Sequence, residues 1–251
     1  MSYIQKYNLN NINLKTTIAV IANINEESIE SIINLTNNIP FNFDLFLFVY
    51  NKMNIERIKQ NIKINSKALN FNLETSFNIR KDLLYLLLKF QSKAKKYKYI
   101  CNINTNSYKN INYLEEWKKY LYNNLLGDSV IISEILTDFE NNEDLGMIFP
   151  EKYYKTLFQF GDKLNYIELR YLNSIFTRIN PKIRISPDFI DFPEGNMFWA
   201  KIKAINYIFF LNANFFFTRK FRLMLEDNLE KIWIFLLKLN GYTYKKIFKH
   251  L

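Results

Sequence analysis

Amides, cations and carboxylates that could bind a phosphorylated group or move a proton lie in five short clusters. The clusters are Asn23, residues 78–82, residues 102–104, residues 191–199 and the pair Glu226 and Asp227. Amides and hydroxyls can read a nucleobase or a sugar, and a ring such as that of Trp199 can stack on a sugar face. Carboxylates can bind hydroxyls or accept a proton. Together these residue types indicate binding and transfer of a sugar or a phosphorylated compound.

The cations Arg80 and Lys81 stand where a helix is predicted to begin. Residues 81–95 carry apolar side chains at helical spacing, which predicts a helix. Backbone N–H groups and the positive end of the helix dipole favour anions at such a start. Two cations beside them predict a pyrophosphate site. A solvated helix start explains the same pair, and an asparagine-rich composition explains Asn102 and Asn104 equally well.

Several kinds of catalytic and metal site are excluded by composition. Cys101 is the only cysteine and His250 the only histidine. A Ser-His-Asp triad built from an interior histidine, a Cys-His dyad, a disulfide and a two-histidine zinc site are therefore ruled out. With 5 glycines in all, neither a P-loop nor a dinucleotide fingerprint occurs. Acid–base work must therefore come from Asp, Glu, Lys or Tyr.

The formal net charge of +10 favours anionic partners. Nucleic acid, an acidic membrane and phosphorylated small molecules all fit such a charge. Part of the lysine excess reflects the Asn-, Ile- and Lys-rich composition of the whole chain. No signal-peptide core and no apolar stretch of about 18 residues occur, so we expect a cytoplasmic protein.

Predicted strands and helices alternate along the chain. Strands are predicted at 17–22, 44–50, 69–73, 97–105, 145–150 and 196–200. Helices are predicted at 26–38, 54–64, 81–95, 114–126, 130–141, 164–178, 201–209 and 226–239. This alternation predicts an α/β fold with a mostly parallel central sheet flanked by helices. We expect a single domain over residues 1–251, with a core at about 16–240 and a basic tail at 241–251. Gly127 is expected to end the fourth helix in the left-handed conformation.

Ligands of open α/β sheets bind beyond the carboxyl ends of the strands. The loops that this rule selects begin at Asn23, Tyr50, Glu74, Asn102, Phe149 and Trp199. All five polar clusters lie in or near these loops or at the start of a following helix. Each cluster alone has an ordinary structural explanation. Their joint occurrence in these loops favours a functional explanation as strongly as a structural one.

The segment DFPEGNMFWAKIKA at residues 191–204 resembles the "FPAGSMFWAR" segment of the rhamnan synthesis protein F family. Three further segments agree in order and spacing. They are IAVIAN at 18–23 beside "IAVIAH", residues 97–127 with YICNINT and EEWKKYLYNNLLG beside "DYVCHLHTKKS … EEWRDYLLDNLLG", and LGMIFP at 145–150 beside "LGMVAPP". The resemblance spans about residues 18–239. It implies a GT-A-like, Rossmann-like glycosyltransferase that uses a nucleotide-activated sugar in the synthesis of surface polysaccharides.

Site residues follow from this resemblance and from the strand-end rule. The implied donor-binding residues are Ala22, Asn23, Asn78, Arg80, Lys81, Asp82, Asn102 and Asn104. The implied acceptor-binding residues are Glu194, Gly195 and Trp199. Inverting GT-A enzymes often place a catalytic carboxylate at the start of the last helix of this kind. This implies Asp227 as the general base, with Glu226 as the reserve.

The chain departs from the family at Asn23, Asn102 and Asn104, where the family has histidines. Many GT-A enzymes carry an Asp-x-Asp metal motif at the end of the fourth strand. Neutral amides are weaker ligands for a hard dication than carboxylates. We therefore expect no tightly bound metal, with Mg²⁺ or Mn²⁺ as the alternative and Asp82 or Asp191 as its carboxylates.

The leading hypothesis is an inverting transfer of a sugar, with rhamnose the first to test, onto a growing or lipid-linked saccharide. A nucleic-acid-binding module and a non-catalytic glycan-binding relative are the alternatives. We expect no nucleic-acid partner, since the lysines form no long stripe. Residues 242–250 alternate aromatic and basic side chains. They could rest on the inner face of an anionic membrane, or pack Ile247 and Phe248 on the domain.

Overall fold

The structure of the chain is a computed structural model. It describes residues 18–24, 28–50, 54–76, 90–105, 113–156, 166–179, 191–206 and 229–248. Among these residues, no helix is long and apolar enough to cross a membrane. Element labels below number the described helices and strands in chain order.

Seven strands form one sheet. They are β1 (Ile18–Ile24), β2 (Phe43–Tyr50), β3 (Asn70–Ser76), β4 (Tyr99–Asn104), β5 (Leu145–Pro150), β6 (Phe198–Lys201) and β7 (Thr243–Ile247). Their order across the sheet is β3-β2-β1-β4-β6-β5-β7. Every residue of β1 and of β4 is buried, as expected for apolar, β-branched central strands of a sheet covered on both faces.

One strand runs against the others. β6 is antiparallel to both β4 and β5, while the remaining neighbours are parallel. The carboxyl ends of β1 to β5 and β7 therefore share one edge of the sheet, which we call the carboxyl edge. β6 brings its first residue, Phe198, to that edge. The segment before β6 thus belongs to the carboxyl edge, and the loop after Trp199 belongs to the opposite, amino edge.

Helices cover both faces of the sheet. The six described helices are α1 (Ile29–Thr36), α2 (Ile55–Asn65), α3 (Leu114–Leu126), α4 (Ser129–Asn141), α5 (Tyr166–Ile179) and α6 (Leu229–Leu239). Helices α1 to α4 pack on one face around Trp117 and Leu121. Helices α5 and α6 pack on the other face, together with a helical turn at residues 90–94. The predicted α/β fold with a mostly parallel sheet is thereby confirmed.

Three local predictions differ from the structure. Residues 202–206 form turns where the sequence predicts a helix over 201–209. Gly127 has a right-handed φ of −59°, and it must be glycine because a Cβ there would overlap the carbonyl oxygen of Asn123. Part of the predicted basic tail is β7, which pairs with β5 in parallel. Its Ile247 packs against the core, whereas Phe248 is 52% exposed.

Candidate functional site

Three asparagines lie on one face of the sheet at the carboxyl edge. Asn23 on β1 and Asn104 on β4 are register partners, and Asn102 precedes Asn104 by two residues on the same face. All three are buried, with at most 1% of their surface exposed. The backbone N–H of Thr105 donates to the carbonyl of Asn23 at 2.9 Å and joins the two strand ends. The predicted donor-binding residues Asn23, Asn102 and Asn104 are thus brought together, whereas the side chain of Ala22 packs on the opposite face of the sheet.

Only one of the two polar side-chain atoms of Asn102 has a hydrogen-bond partner among the described residues. Its Nδ2 donates to the backbone carbonyl of Asn196 at 2.5 Å. Its Oδ1 is buried and has no hydrogen-bond partner among the residues that the structure describes. A buried polar atom without a partner is unfavourable by about 1–3 kcal/mol, and native proteins contain few of them. This oxygen is therefore suited to accept a hydrogen bond from an N–H or O–H group of a ligand.

The turn Glu194–Asn196 holds an uncommon backbone conformation beside Asn102. Gly195 has φ +65° and Asn196 has φ +59°, and glycine and asparagine are the residues that tolerate this left-handed region best. Helix α6 holds the turn through two side chains. The N–H of Gly195 donates to Glu230 at 2.8 Å, and the indole of Trp233 donates to Oδ1 of Asn196 at 2.9 Å.

These bonds connect the end of β4 to the beginning of α6. The path runs from Asn102 to the carbonyl of Asn196, and from the Asn196 side chain to Trp233. The ring of Trp233 also packs edge-on against Phe198, with centroids 4.8 Å apart. The turn therefore fixes where α6 starts relative to the asparagines.

Glu194 is a buried structural carboxylate in this structure. It is 2% exposed and accepts hydrogen bonds from Trp117 Nε1 at 2.8 Å and from Thr156 Oγ1 at 2.9 Å. These bonds attach the turn to α3 and to the segment that follows β5. Gly195 is buried as well. A Cβ added there would lie 2.8 Å from the Trp117 ring. Neither residue offers an exposed side chain to an acceptor.

Trp199 lies in the core. Its side chain is 0% exposed, and its indole donates to the Leu125 carbonyl at 3.0 Å. Because β6 is antiparallel, Trp199 also lies one residue further from the carboxyl edge than Phe198. This burial leaves no ring face for a sugar, so we do not retain Trp199 as a stacking residue.

A group of tyrosines with one exposed ring lies at the carboxyl edge, between the start of α3 and the segment after β5. We call Tyr113, Tyr153, Tyr154 and Lys155 the aromatic surface. The rings of Tyr153 and Tyr154 are 4.8 Å apart, and Tyr154 is 56% exposed. Lys155 Nζ lies 5.8 Å from the Tyr154 ring centroid and 2.5 Å from Glu116. An exposed ring flanked by a cation and a carboxylate can stack on a sugar and hydrogen-bond its hydroxyls.

The remaining predicted site residues lie outside the described residues. These are Asn78, Arg80, Lys81, Asp82, Glu226 and Asp227. Helix α6 begins at Leu229, two residues after Asp227. Sequence patterns did not indicate Asn196, Glu230, Trp233 or Tyr154 as candidate residues. Only the family-like segment around 191–204 pointed to this part of the chain.

The amides described at the carboxyl edge are weak ligands for a hard dication. Among the described residues, no group of three or more Asp, Glu, His or Cys side chains could hold a metal. Asp191 accepts from Tyr244 at 2.8 Å and from Lys246 at 3.2 Å, so it fixes β7. Burial, followed by the hydrogen bond to Asp191, raises the pKa of Tyr244 to about 12. The described amides therefore do not make a strong Mg²⁺ or Mn²⁺ site.

Comparisons with known proteins identify the family. A family model described as rhamnan synthesis protein F matches residues 1–239. A solved structure, the Mn/GDP form of core-mannan synthase A from Aspergillus fumigatus, is similar at 11% sequence identity. That similarity covers 93% of this chain and 67% of the other, with a TM-score of 0.40. A comparison with curated proteins found no match. Since the family model spans nearly the whole chain, the chain belongs to the rhamnan synthesis protein F family.

Proposed function

We propose that the protein is a glycosyltransferase that transfers a sugar from a nucleotide-sugar donor to a saccharide acceptor. Membership of the rhamnan synthesis protein F family supports a glycosyltransferase role. The observation that carries the proposal is the buried Oδ1 of Asn102, which has no hydrogen-bond partner among the described residues and lies next to the Asn23–Asn104 pair on the same face of the sheet. Ligands of open α/β sheets bind at that edge. Rhamnose as the sugar, and inversion at the anomeric carbon, are parts of this proposal.

On the donor side, the asparagines and the predicted cations have separate tasks. Asn102 Oδ1 accepts a hydrogen bond from the nucleotide or the sugar. Asn23 and Asn104 contact the same ligand, and Ala22 contributes its backbone. Arg80 and Lys81, with Asn78 and Asp82 beside them, bind the diphosphate. Fixed cations there stabilise the charge that develops on the leaving nucleoside diphosphate.

On the acceptor side, a general base removes the proton of the attacking hydroxyl. A base is needed because a sugar hydroxyl attacks only as it loses its proton. Asp227 is the proposed base, and Glu226 is its reserve. The bonds from Trp233 to Asn196 and from Asn196 to Asn102 support this assignment. They hold the start of α6, two residues after Asp227, in a fixed relation to Asn102.

The aromatic surface is the proposed contact for the acceptor sugar. It takes the place of Trp199, and Tyr154 supplies the ring face. Glu194 contributes indirectly, because its bond to Thr156 holds the segment that carries Tyr154. The acceptor is a growing saccharide, free or lipid-linked. Contact of β7 or of the following residues with a membrane is a further part of the proposal, as is a position at the inner face of the membrane.

Divalent metal is not assigned a step in this reaction. The amides of Asn102 and Asn104 are neutral, and the described part of the chain holds no carboxylate cluster. We therefore expect turnover to fall less than about threefold in a chelator, since carboxylates are what hold hard dications in proteins. Loss of all turnover in the chelator, with recovery on adding Mg²⁺ or Mn²⁺, would contradict this expectation and direct attention to Asp82.

Donor binding and turnover test the proposal in one experiment. Thermal unfolding is followed with uridine, guanosine, cytidine and thymidine diphosphate sugars, starting with thymidine diphosphate-rhamnose. A ligand at 100 times its Kd should stabilise the fold by about 2.7 kcal/mol. Release of nucleoside diphosphate in the presence of saccharide acceptors is then measured. The absence of binding by every donor at millimolar concentration would refute the proposal, and binding without transfer would favour a non-catalytic relative.

A further inference from the structure

A basic cleft lies at the amino edge of the sheet, the edge opposite to the one that carries the candidate site. Five lysines line it, namely Lys95, Lys96, Lys98, Lys201 and Lys203. Its volume is about 710 Å³, within the roughly 300–1,000 Å³ typical of small-molecule sites. Strand β4 has six residues, and at about 3.3 Å per residue it separates the two edges by about 20 Å. The basic cleft is therefore distinct from the proposed donor site.

The lysines reach the basic cleft from two separate segments that the sheet brings together. Tyr99 on β4 pairs with Lys201 on β6, and the N–H of Ile202 donates to the Lys98 carbonyl at 3.0 Å. The Lys201 ammonium donates to the carbonyl of Asn142, just beyond α4, at 2.7 Å. Because backbone pairing fixes these positions, the cations converge as a consequence of the fold.

Two of the five lysines already have partners. Lys98 pairs with Glu140 at 2.6 Å, and Lys201 binds carbonyls at the end of α4. Burial raises the pKa of the Glu140 carboxyl, but hydrogen bonds from Lys98 and Tyr99 more than offset this and leave it below the ordinary value. The Glu140 carboxylate thus stays ionised at neutral pH.

The other three lysines supply an excess of positive charge. Among the described residues, Lys95, Lys96 and Lys203 have no carboxylate within ion-pair distance. Glu140 and Glu143 are the carboxylates in the lining, so five lysines leave three positive charges uncompensated. Burial lowers the pKa of Lys201, and the charge of Lys98 adds to this effect. A cleft lined by one sign of charge focuses the field and attracts a counter-ion.

We propose that the basic cleft binds a phosphate group. A phosphate offers several acceptor oxygens to the ammonium groups of Lys95, Lys96 and Lys203, and lysine is a common phosphate ligand. Lys98 and Lys201 form the wall behind them. Both free phosphates and the headgroups of anionic phospholipids carry this chemistry.

Calorimetry with inorganic phosphate tests the proposal on the full chain. The test variant is K95Q/K96Q/K203Q, which leaves the bonded Lys98 and Lys201 intact. The matched control is K63Q/K119Q/K238Q, which removes three exposed lysines from three helices outside the cleft. We expect the test variant to lose at least tenfold in phosphate affinity, while the control stays within twofold of the wild-type protein. Equal affinities in both variants, or no phosphate binding by the wild-type protein, would overturn the proposal.

Further measurements identify the source of the phosphate and exclude an effect on the donor site. Sedimentation with vesicles of phosphatidylglycerol and of phosphatidylcholine shows whether headgroups occupy the cleft. Loss of phosphatidylglycerol binding in the test variant alone assigns a lipid, whereas phosphate binding without vesicle binding assigns a soluble phosphate. Donor affinity should be unchanged in the test variant. A parallel loss of donor binding would mean that the phosphate had been bound in the donor site, and it would refute a separate site.

Discussion

The two edges of the sheet carry side chains of contrasting character. At the carboxyl edge, Asn23, Asn102 and Asn104 are neutral and buried. Asn102 is held by the hydrogen bond that it donates to the Asn196 carbonyl. At the amino edge, Lys95, Lys96 and Lys203 are charged and exposed. Neutral amides in a closed setting select a ligand by hydrogen-bond geometry. Exposed ammonium groups select by charge, with an affinity that depends on salt.

This comparison separates specificity from attraction. A site that must distinguish one nucleotide-sugar from another needs fixed donors and acceptors, because an unmet hydrogen bond excludes the wrong ligand. A site that must only gather phosphates can use mobile lysines. The same +10 charge that suggested nucleic acid is therefore accounted for in part by a local cleft. The variants below alter each property separately.

The largest effect is expected for Asp227→Asn. The amide keeps the shape of the side chain and cannot accept the proton of the acceptor hydroxyl. Turnover should fall by roughly 10²–10⁴-fold, while donor affinity stays within about twofold because binding does not require the base. Single-turnover kinetics and donor titration measure both quantities on the same protein.

Glu226→Gln is the control for Asp227→Asn, since it removes the neighbouring charge and leaves Asp227 in place. We expect turnover of Glu226→Gln to remain within about threefold of wild type, because Asp227 still accepts the proton of the acceptor hydroxyl. Near-normal turnover of a folded Asp227→Asn protein would refute its role as the base. A large loss in Glu226→Gln instead would transfer that role to Glu226.

Gly195→Ala should have the next largest effect, and it acts on stability. A left-handed alanine costs about 1–2 kcal/mol, and overpacking against the Trp117 ring adds about 1–3 kcal/mol. Gly241→Ala is the matched control, because Gly241 has φ +76° but a Cβ added there would meet no atom within 4 Å. The difference in unfolding free energy between the two variants isolates the contact with Trp117. Equal losses would mean that the turn relaxes freely and does not hold α6.

The positions of six of the seven strands were readable from the sequence, whereas their order across the sheet and the direction of β6 were not. Nearly continuous apolar runs at 17–22 and 44–50 predict parallel central strands, because burial on both faces favours apolar residues at successive positions. Residues 196–200 have the same character, and only the pairing with β4 and β5 shows the reversal. The apolar pattern of a buried strand carries no information on its direction.

The asparagines of the candidate site could be predicted from the sequence. The residues that hold them in place could not. Asn23, Asn102 and Asn104 end apolar runs, so the strand-end rule places them at the carboxyl edge. Trp233 sits within an apolar helix and looks like any core residue, although its indole N–H fixes Asn196. Trp199 shows the converse, since a motif tryptophan proved to be buried. Resemblance to the family pointed to the segment that carries Asn196, and only packing distinguishes a site side chain from a core one.

Asn102→Ala tests the neutral character of the carboxyl edge. Removal of Oδ1 should weaken donor binding by about 3- to 10-fold, the value of one ordinary hydrogen bond. Trp233→Phe is the comparison variant, because it removes a hydrogen bond to the other side of the same turn and leaves Asn102 in place. We expect its donor affinity to change by less than twofold. Similar losses in both variants would show that Asn102 acts by holding Asn196 rather than by contacting the donor.

The smallest effect is expected at β7, where Tyr244 joins this edge strand to the segment leading into the Glu194–Asn196 turn. Tyr244→Phe removes the 2.8 Å hydrogen bond to Asp191, which should lower the unfolding free energy at pH 7 by about 1 kcal/mol. Burial, then the bond to Asp191, raises the pKa of Tyr244 to about 12 in the folded state, above the value of about 10 for an unfolded tyrosine. The unfolded chain therefore releases this proton first, and the contribution of Tyr244 to stability is complete below pH 10 and is lost as the pH rises towards 12.

Wild-type protein should consequently lose more unfolding free energy between pH 10 and 12 than Tyr244→Phe, which lacks the titrating hydroxyl. Tyr154→Phe is the control, because it removes a hydroxyl from a ring that is 56% exposed. Urea unfolding at half-unit steps of pH measures all three proteins. Identical alkaline slopes for wild type and Tyr244→Phe would show that β7 separates from Asp191 before the tyrosine titrates. The carboxyl edge would then be held at high pH by Asn102, Glu230 and Trp233 without help from β7.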